Sequence, residues 1–267
     1  MRKKMIETIT KQNDEIVSLL RELKLKHFCD AFEKDMAFLP ITSKEIITGH
    51  MASWAMHERN ERKTQLIAAK IKYAKFRQEQ TVDTFNFKHN KMIEKIEKTY
   101  LRLVEGLAKD NLPSAVFSGT AGLGKTHLAR ALGYAACQKG LSVLFLTAAE
   151  MVNRLQHAQK TFNLELELNK YRRPQVLIID ELGYVSLDTT SSNLFFQVIS
   201  SRHDQKLGTI TTTNMSFGKF NQIFANDAIA HAIVDRLVNE AEVFYLEGDS
   251  YRPHQRTEKM KRKKENA

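Results

Sequence analysis

Cysteine and long apolar runs are both scarce in this sequence. Its 267 residues include two cysteines, Cys29 and Cys137, which lie in separate helical patterns and support neither a disulfide framework nor a zinc site. No apolar run approaches the roughly 20 residues that a membrane-spanning helix needs. Residues 1–4 (MRKK) are followed by polar residues, where a signal peptide would be apolar. We therefore expect a soluble, cytoplasmic protein with no membrane partner.

Positive charge is in excess and is unevenly placed. The formal net charge is +10. Residues 1–109 contain 22 basic and 15 acidic residues, residues 110–250 contain 12 and 14, and residues 251–267 contain 7 and 2. The excess therefore lies at the two ends of the chain, which favours a polyanionic partner, with nucleic acid as the first candidate. Surface charge kept for solubility is the alternative interpretation.

Residues 119–126 (GTAGLGKT) fit the pattern G-x-x-x-x-G-K-[ST] of a phosphate-binding loop. An apolar run at residues 115–118 predicts a buried strand before the loop, and residues 126–138 predict a helix after it. The glycines allow consecutive backbone N–H groups to turn inward and form an anion-binding nest at the helix N-terminus. We expect Lys125 to contact the β- and γ-phosphates of a nucleotide and the Thr126 hydroxyl to be a ligand of Mg²⁺.

Two acids follow a second apolar run. Residues 176–179 are all aliphatic, which is typical of a parallel strand buried on both faces, and Asp180 and Glu181 come directly after them. Acids at the carboxyl end of such a strand lie in the crevice where open α/β sheets bind ligands. We expect Asp180 to hold Mg²⁺ through water and Glu181 to orient or deprotonate the attacking water. A helix N-cap for Asp180 and an ordinary surface charge for Glu181 are the alternatives.

Two further polar residues are candidates for the same chemistry. Asn214 directly follows a strand pattern, so that its amide could bond the attacking water or the γ-phosphate; a turn-forming role is the alternative. Arg236 follows an apolar helix face, far along the chain from the glycine loop. An arginine of this kind can stabilise transition-state charge in a neighbouring subunit, whereas a contact with its own helix C-terminus is the simpler role.

Helical patterns fill the first part of the chain. The spacing of apolar residues predicts a helix over residues 14–36 and, after Pro40, a long helix from a capping box at Thr42 and Glu45 to about Arg77. Its second half carries basic residues with aromatic neighbours, and the DNA-binding candidates are Lys70, Lys72, Lys75 and Arg77. An equally good interpretation is a solvated basic surface behind an apolar stripe of Leu66, Ile67, Ile71 and Phe76. A further helix is predicted over residues 89–109.

Strand and helix patterns alternate from residue 113 onward. The predicted strands cover residues 115–118, 141–147, 176–179, 207–213 and 242–246. Between them lie predicted helices at residues 126–138, 149–159, 164–171, 189–201 (with Asp188 as its N-cap) and 227–238. This order predicts an α/β fold with right-handed crossovers and a parallel sheet covered on both faces.

Taken together, these segments resemble the AAA+ ATPases of the IstB/DnaC type, and more closely the IstB helper ATPases of insertion-sequence transposition. The matching segments, in chain order, are GTAGLGKTHLARALG, VLIIDELGYVSLD with the following LFFQVISSR, TTTNMSF, and AIVDRLVNEAEVFYLEGDSYR. N-terminal segments such as KYAKFRQE and DTFNF extend the resemblance over nearly the whole chain.

The resemblance implies a strand order of 5-1-4-3-2. It also implies roles for single residues: Asn214 as sensor 1, Arg236 as the arginine finger and Arg252 as sensor 2. Residues 111–113 (NLP) mark a domain boundary in the chain itself. We expect a helical N-terminal domain (1–80), a linker and helix (81–112), an AAA+ core (113–250) and a basic tail (251–267). The residues expected to bind nucleotide are Gly119, Thr120, Ala121, Gly122, Leu123, Gly124, Lys125, Thr126 and His127.

The function that the resemblance implies is hydrolysis of ATP with Mg²⁺ by an oligomer that assembles on double-stranded DNA, with little sequence specificity, and recruits or stimulates a transposase. A loader of a replicative helicase is the alternative within the family. From other classes, we consider a small-molecule P-loop kinase and a nucleotide-dependent DNA-binding module without hydrolysis. A kinase does not need an acid placed like Glu181 or an arginine that acts across an interface.

Overall fold

A computed structural model describes residues 2–248 and 250–251 of the chain, with side chains from residue 7 onward. These residues divide between Ala68 and Ala69 into two compact units. The domain limits expected from the sequence stay a prediction, because compactness alone does not define the segments that fold independently. None of the helices in the described residues is long and apolar enough to cross a membrane.

The first unit is helical. It contains α1 (Arg2–Glu22), α2 (Lys26–Phe38) and most of α3 (Ile41–Ala74), the helix that continues beyond Ala68. The apolar faces of α1 and α2 form its core, with the buried side chains of Ile16, Val17, Leu20, Cys29, Phe32 and Met36. The unit therefore has the all-helical character that the sequence predicts.

The predicted single helix over residues 14–36 is wrong, because the chain breaks between α1 and α2. Lys24 adopts a left-handed conformation with φ of 60°. The Lys24 N–H donates to the Arg21 carbonyl at 3.0 Å, and the Leu25 N–H donates to the Leu20 carbonyl at 2.9 Å. These two bonds form a Schellman motif, which ends a helix by satisfying its last carbonyls. Leu25 then packs against the core of the unit.

The start of α3 also differs from the prediction. The helix begins at Ile41, and the Lys44 N–H donates to the Pro40 carbonyl at 2.9 Å. Thr42 therefore lies inside the first turn and does not precede it as an N-cap. Pro40 suits the position before the helix, since its missing N–H has no partner to lose there. The helix ends at Ala74, three residues before the predicted end at Arg77.

The second unit is an α/β fold. After α3, two short 3₁₀ turns (Val82–Thr84 and Phe87–His89) lead into α4 (Lys91–Glu105). The strands are β1 (Ala115–Gly119), β2 (Val143–Thr147), β3 (Val176–Asp180), β4 (Gly208–Thr213) and β5 (Glu242–Leu246). The helices between them are α5 (Lys125–Gln138), α6 (Ala148–Lys160), α7 (Leu164–Arg172), α8 (Thr189–Asp204) and α9 (Asp227–Val238).

The five strands form one parallel sheet in the order β2-β3-β4-β1-β5, as the resemblance implied. Alternate side chains of β2 and of β3 enter separate cores on the two faces of the sheet. Leu177 and Ile179 of β3 face a core built with α6 to α9, while Val176 and Ile178 face a core that includes α4 and α5. Burial on both faces explains why residues 176–179 of β3 are continuously apolar.

A buried arginine is hydrogen-bonded to the backbone at the amino ends of β3 and β4. Arg202 of α8 is fully buried, and its guanidinium donates to four carbonyl oxygens, those of Tyr171, Pro174, Gln175 and Gly208. Its Nε also donates to the Thr209 hydroxyl at 3.2 Å. Burial lowers the pKa of Arg202, but the carbonyl oxygens around it solvate the charge.

We expect Arg202→Met to lower the free energy of unfolding by about 3 kcal/mol or more, because each buried acceptor left without a donor costs about 1–3 kcal/mol. Chemical denaturation followed by circular dichroism measures the difference. Arg102→Met is the matched control, since Arg102 is exposed on α4, and a surface change of this kind is expected to stay within about 0.5 kcal/mol. Equal stability of the two variants would contradict the structural role of Arg202.

Candidate nucleotide-binding site

The predicted glycine loop joins β1, which ends at Gly119, to α5, which begins at Lys125. Gly119 has a φ of 149° and Gly124 a φ of 87°, backbone conformations that residues with a Cβ rarely adopt. A Cβ at Gly119 would overlap the carbonyl of Leu246, and a Cβ at Gly124 would lie 2.5 Å from the ring of Phe85. Close neighbours as well as the turn itself therefore require both glycines.

Lys125 places a positive charge at this loop. Its Nζ donates to the carbonyl oxygens of Gly119 at 2.7 Å and Thr120 at 2.6 Å. The same residue opens α5, so the ammonium lies near the positive end of the helix dipole. Backbone N–H groups, a helix N-terminus and an ammonium together suit a polyphosphate.

The two predicted acids meet this loop from the end of β3. Asp180 is 2% exposed, and its Oδ1 accepts hydrogen bonds from the hydroxyls of Thr126 at 2.8 Å and Thr212 at 2.6 Å. Glu181 is exposed and lines the same cleft. The structure thus brings together Lys125, Thr126, Asp180 and Glu181.

The turn after β3 is strained. Glu181 has a φ of 62° and a ψ of 37°, a left-handed conformation that costs a residue with a Cβ roughly 1–2 kcal/mol. Two residues later, at Gly183, a Cβ would overlap the amide oxygen of Asn214. Asn214 follows β4 and also lines the cleft, as predicted. Strain at a site of this kind is kept where it serves function.

The oxygen atoms of Thr126 and Asp180 fit Mg²⁺. A hydroxyl and a carboxylate are hard ligands of the kind that this ion prefers, and Mg²⁺ usually combines one or two protein ligands with water and substrate phosphates. The 2.8 Å separation of Thr126 Oγ1 and Asp180 Oδ1 places both groups at one point of the cleft. The chemistry of both side chains therefore suits Mg²⁺, and their role as its ligands stays a prediction.

The cleft itself has a volume of about 670 Å³, which lies within the range of roughly 300–1,000 Å³ that ligand pockets span. One wall consists of the glycine loop, the acids and the end of β4. The other wall comes from outside the predicted motifs, and its residues include Gln78, Gln80, Thr84, Phe85, Asn86, His89, Ile93 and Tyr251. Sequence analysis missed this wall, although the segment DTFNF, which contains Phe85, contributed to the resemblance.

His127 connects the two walls. Its Nε2 lies 3.1 Å from the Thr81 carbonyl and 3.1 Å from the Thr84 hydroxyl. A carbonyl oxygen only accepts, so Nε2 carries the hydrogen. Burial lowers the pKa of His127, the bond to Thr81 opposes this, and the charge of Arg130 lowers the pKa further. The ring of His127 also contacts that of Phe85 edge to face, at a centroid distance of 5.1 Å.

Arg130 is a cation in the cleft that sequence analysis did not single out. It lies one turn beyond Thr126 on α5, and its Nη1 donates to Gln80 Oε1 at 3.1 Å. The guanidinium carbon is 4.6 Å from the ring centroid of Phe145. Burial lowers the pKa of Arg130, while the negative charges of Asp180 and Glu181 raise it. A positive charge thus accompanies the paired acids within the same chain.

One predicted site residue of the described part of the chain, Arg236, is not brought to this cleft. Arg236 lies on α9, where its guanidinium carbon is 4.9 Å from the ring centroid of Phe196 and its Nη1 donates to the Ala232 carbonyl at 3.0 Å. It is not among the residues that line the cleft. Arg252, predicted as sensor 2, lies outside the described residues.

The four DNA-binding candidates do not share one helix. Lys70 and Lys72 belong to α3, whereas Lys75 and Arg77 follow its end, with Lys75 at a φ of 61°. Arg77 Nη2 lies 2.6 Å from Glu150 Oε1. Of the predicted apolar stripe, Ile71 and Phe76 pack against the core, whereas Leu66 is exposed, so that part of the prediction is wrong. The two interpretations of this stretch are therefore compatible, and DNA binding by the basic side chains stays a prediction.

Comparison with known proteins identifies the family. The model of the family "IstB-like ATP binding protein" matches residues 18–259. The chain belongs to this family. An insertion sequence IS5376 protein of Geobacillus stearothermophilus is 36% identical over 192 residues, which cover 72% of this chain and 75% of the relative. An insertion sequence IS232 protein of Bacillus thuringiensis subsp. berliner is 32% identical over 241 residues, which cover 89% of this chain and 94% of the relative.

Solved structures share the fold of this IstB-like protein. The DnaC helicase loader superposes with a TM-score of 0.55 at 23% identity, over 62% of this chain and 96% of that chain. AMPPCP-bound DnaA from Aquifex aeolicus superposes with a TM-score of 0.53 at 17% identity, over 63% and 50%. By family and fold, the IstB-like chain is an ATPase of the AAA+ class, as predicted, and the interpretation as a small-molecule kinase is wrong.

We expect Lys125→Ala in the IstB-like protein to weaken ATP binding by about a hundredfold or more, because hydrogen bonds to charged groups contribute about 1.5–3 kcal/mol each. Calorimetric titration with ATP measures the change. Lys139→Ala is the matched control, since Lys139 is an exposed lysine just after the end of the same helix. Unchanged affinity in the Lys125 variant would contradict the assignment of the loop as the phosphate site.

Proposed function

We propose that this IstB-like ATPase assembles on double-stranded DNA in the presence of ATP and recruits or stimulates a transposase. The observation that carries the proposal is the convergence of Lys125, Thr126, Asp180 and Glu181 in one cleft, in a chain whose relatives are proteins of insertion sequences. A nucleotide-driven assembly factor needs this hydrolytic site, because hydrolysis is what makes the assembly reversible. Such a factor would work in the cytoplasm, where its DNA is.

Each residue of the cleft has a proposed role. Lys125 binds the β- and γ-phosphates, and Asn214 orients the γ-phosphate or the attacking water. Mg²⁺, held by Thr126 and by Asp180 through water, would neutralise charge that develops on the phosphates. Glu181 accepts the proton of the attacking water or fixes its orientation. The position of Glu181 supports this role, since its side chain is exposed in the cleft, where an attacking water would lie.

Arg236 is proposed to act on the cleft of a neighbouring subunit. It does not line the cleft of its own chain, and its guanidinium is held against Phe196. A guanidinium that is oriented by an aromatic ring loses less freedom when it binds a phosphate. This arrangement suits a residue that completes a second active site in an oligomer. Arg252, in the same proposal, contacts the nucleotide of its own chain.

Duplex DNA is the proposed polyanion because the positive charge of the chain is concentrated outside the nearly neutral core. Lys70, Lys72, Lys75 and Arg77 lie together around the end of α3, and Lys72, Lys75 and Arg77 are exposed. Contacts of this kind bind phosphates without reading bases, so we propose little sequence specificity. A loader of a replicative helicase, the alternative function, would use the same charges on single-stranded DNA.

We expect Glu181→Gln to retain ATP binding and to trap the oligomer on duplex DNA, because the amide cannot accept a proton from water. Sedimentation with a labelled duplex and with a single strand measures assembly and strand preference, and phosphate release measures hydrolysis. DNA affinity should fall steeply as salt rises, since released counterions drive phosphate binding.

Wild-type hydrolysis by Glu181→Gln would contradict the assignment of Glu181. Preference for the single strand, together with binding of a hexameric helicase in place of a transposase, would overturn the transposition role in favour of helicase loading. Salt-independent DNA binding would exclude the basic segment as the contact surface.

We expect Arg236→Ala to bind ATP but to lose at least about tenfold in turnover, since an arginine of this type contributes about 10³–10⁵ in other nucleotide hydrolases. Asp180→Ala should also be inactive, because it lacks the carboxylate that is proposed to hold Mg²⁺. If Arg236 acts across an interface, mixing the two inactive proteins creates some sites with both groups intact and restores part of the activity. Absence of rescue in mixed oligomers would argue against a role in a neighbouring subunit.

A further inference from the structure

Thr212 occupies a central place beside both acids. It lies near the carboxyl end of β4, the strand adjacent to β3, and is 2% exposed. Its hydroxyl donates to Asp180 Oδ1 at 2.6 Å and accepts from the backbone N–H of Glu181 at 2.9 Å. One buried hydroxyl therefore holds the side chain of one acid and the backbone of the next.

The position of Thr212 matters because the regular pairing of β3 with β4 ends just before the acids. The paired residues of β3 and β4 run from Val176 with Gly208 to Ile179 with Thr211. Asp180 and Glu181 lie beyond the last of these pairs. Beyond the last backbone pair, β4 is therefore connected to the end of β3 by the hydrogen bonds of the Thr212 side chain.

The two bonds have different consequences for the two acids. Thr126 of α5 and Thr212 of β4 both donate a hydrogen bond to the same oxygen of Asp180. Two donors on one oxygen fix the rotation of the carboxylate about its Cβ–Cγ bond. At Glu181, the hydrogen bond holds the N–H of a residue in a left-handed conformation. If the Thr212 hydroxyl were removed, the Glu181 N–H would lose its acceptor, and we expect the turn to relax toward ordinary backbone angles.

We infer that Thr212 is a positioning residue for ATP hydrolysis, which orients the Asp180 carboxylate toward the metal and holds the Glu181 turn in its strained conformation. The inference rests on the proposed roles of Asp180 and Glu181. Thr212 contacts neither phosphate nor water in this role; it acts through the two acids. Its loss should therefore affect turnover and the contribution of Mg²⁺ more than the binding of the nucleotide itself.

The neighbouring threonine of the same strand provides a matched control. Thr211 is equally buried, at 1% exposed, but its side chain points to the other face of the strand. Among the described residues, its Oγ1 has no hydrogen-bond partner. Replacing either threonine by valine removes one buried hydroxyl and preserves the shape. The two variants differ in whether that hydroxyl reaches the acids.

The test compares Thr212→Val, Thr212→Ser and Thr211→Val in the full chain. We expect Thr212→Val to lower kcat by about tenfold to a hundredfold, the range for lost hydrogen bonds to charged groups. Affinity for ATP without Mg²⁺, measured by calorimetry, should stay within about twofold, and the gain in affinity on adding Mg²⁺ should shrink. Thr212→Ser restores the hydroxyl and most of kcat, and Thr211→Val behaves like the wild type.

Hydrogen exchange gives a second readout that does not depend on activity. The Glu181 amide should exchange faster in Thr212→Val than in the wild type, and at the wild-type rate in Thr212→Ser and Thr211→Val. If Thr212→Val proves too unstable to assay, Thr212→Ala with the same exchange measurement serves in its place.

The inference is overturned if Thr212→Val keeps the wild-type kcat, if only KM changes, or if Thr211→Val loses as much activity, since the last result would indicate general packing of β4. Failure of the proposed function is distinguishable. If Glu181→Gln hydrolyses ATP normally while Thr212→Val does not, the role of Glu181 is wrong and the effect of Thr212 through Asp180 stands. Loss of hydrolysis in Glu181→Gln but not in Thr212→Val would overturn the inference alone.

Discussion

The rest of the site depends on the hydrogen bonds that the Asp180 carboxylate accepts. Its Oδ1 accepts hydrogen bonds from Thr126 of α5 and Thr212 of β4, so that one buried oxygen connects three elements of the fold. A buried carboxylate without such donors would lose several kcal/mol of solvation with nothing to replace it. The arrangement of β3, β4 and α5 therefore has to be correct before the acid is tolerated, and the acid then fixes where the proposed Mg²⁺ would bind.

The strand order gives β4 a part in this site. In the order β2-β3-β4-β1-β5, the glycine loop follows β1, the acids lie at the carboxyl end of β3, and β4 lies between these two strands. The last residues of β4 are thus next to both halves of the site. This explains why Thr212 contacts the acids and why Asn214 lies against the turn at Gly183. The chemistry requires the loop and the acids, but the topology places a third strand end between them.

Much of the fold and half of the site could be predicted from the sequence. Residues 176–179 of β3 are continuously apolar because both faces of the strand are covered, and the apolar patterns of β5 and α9 placed these two elements at their observed limits. The loop and the acids have motif spacing that follows from their chemistry. The break at Lys24 was missed, because its cause is the docking of Leu25 into the core and not a glycine or proline. Contacts of this kind leave no periodic signal.

The wall of the cleft that was missed shows the same limit in the site itself. Tyr251 lies far along the chain from the glycine loop, yet its N–H donates to the Gly122 carbonyl at 2.9 Å and its ring contacts His89 at a centroid distance of 4.6 Å. These contacts join irregular segments, in which neither side-chain period nor residue type indicates the partner. Phosphate chemistry dictates residues in a fixed order, whereas the remainder of a nucleotide can be enclosed by many side chains. The motif half of the cleft is therefore readable from sequence, and the other half becomes visible only once the chain is folded.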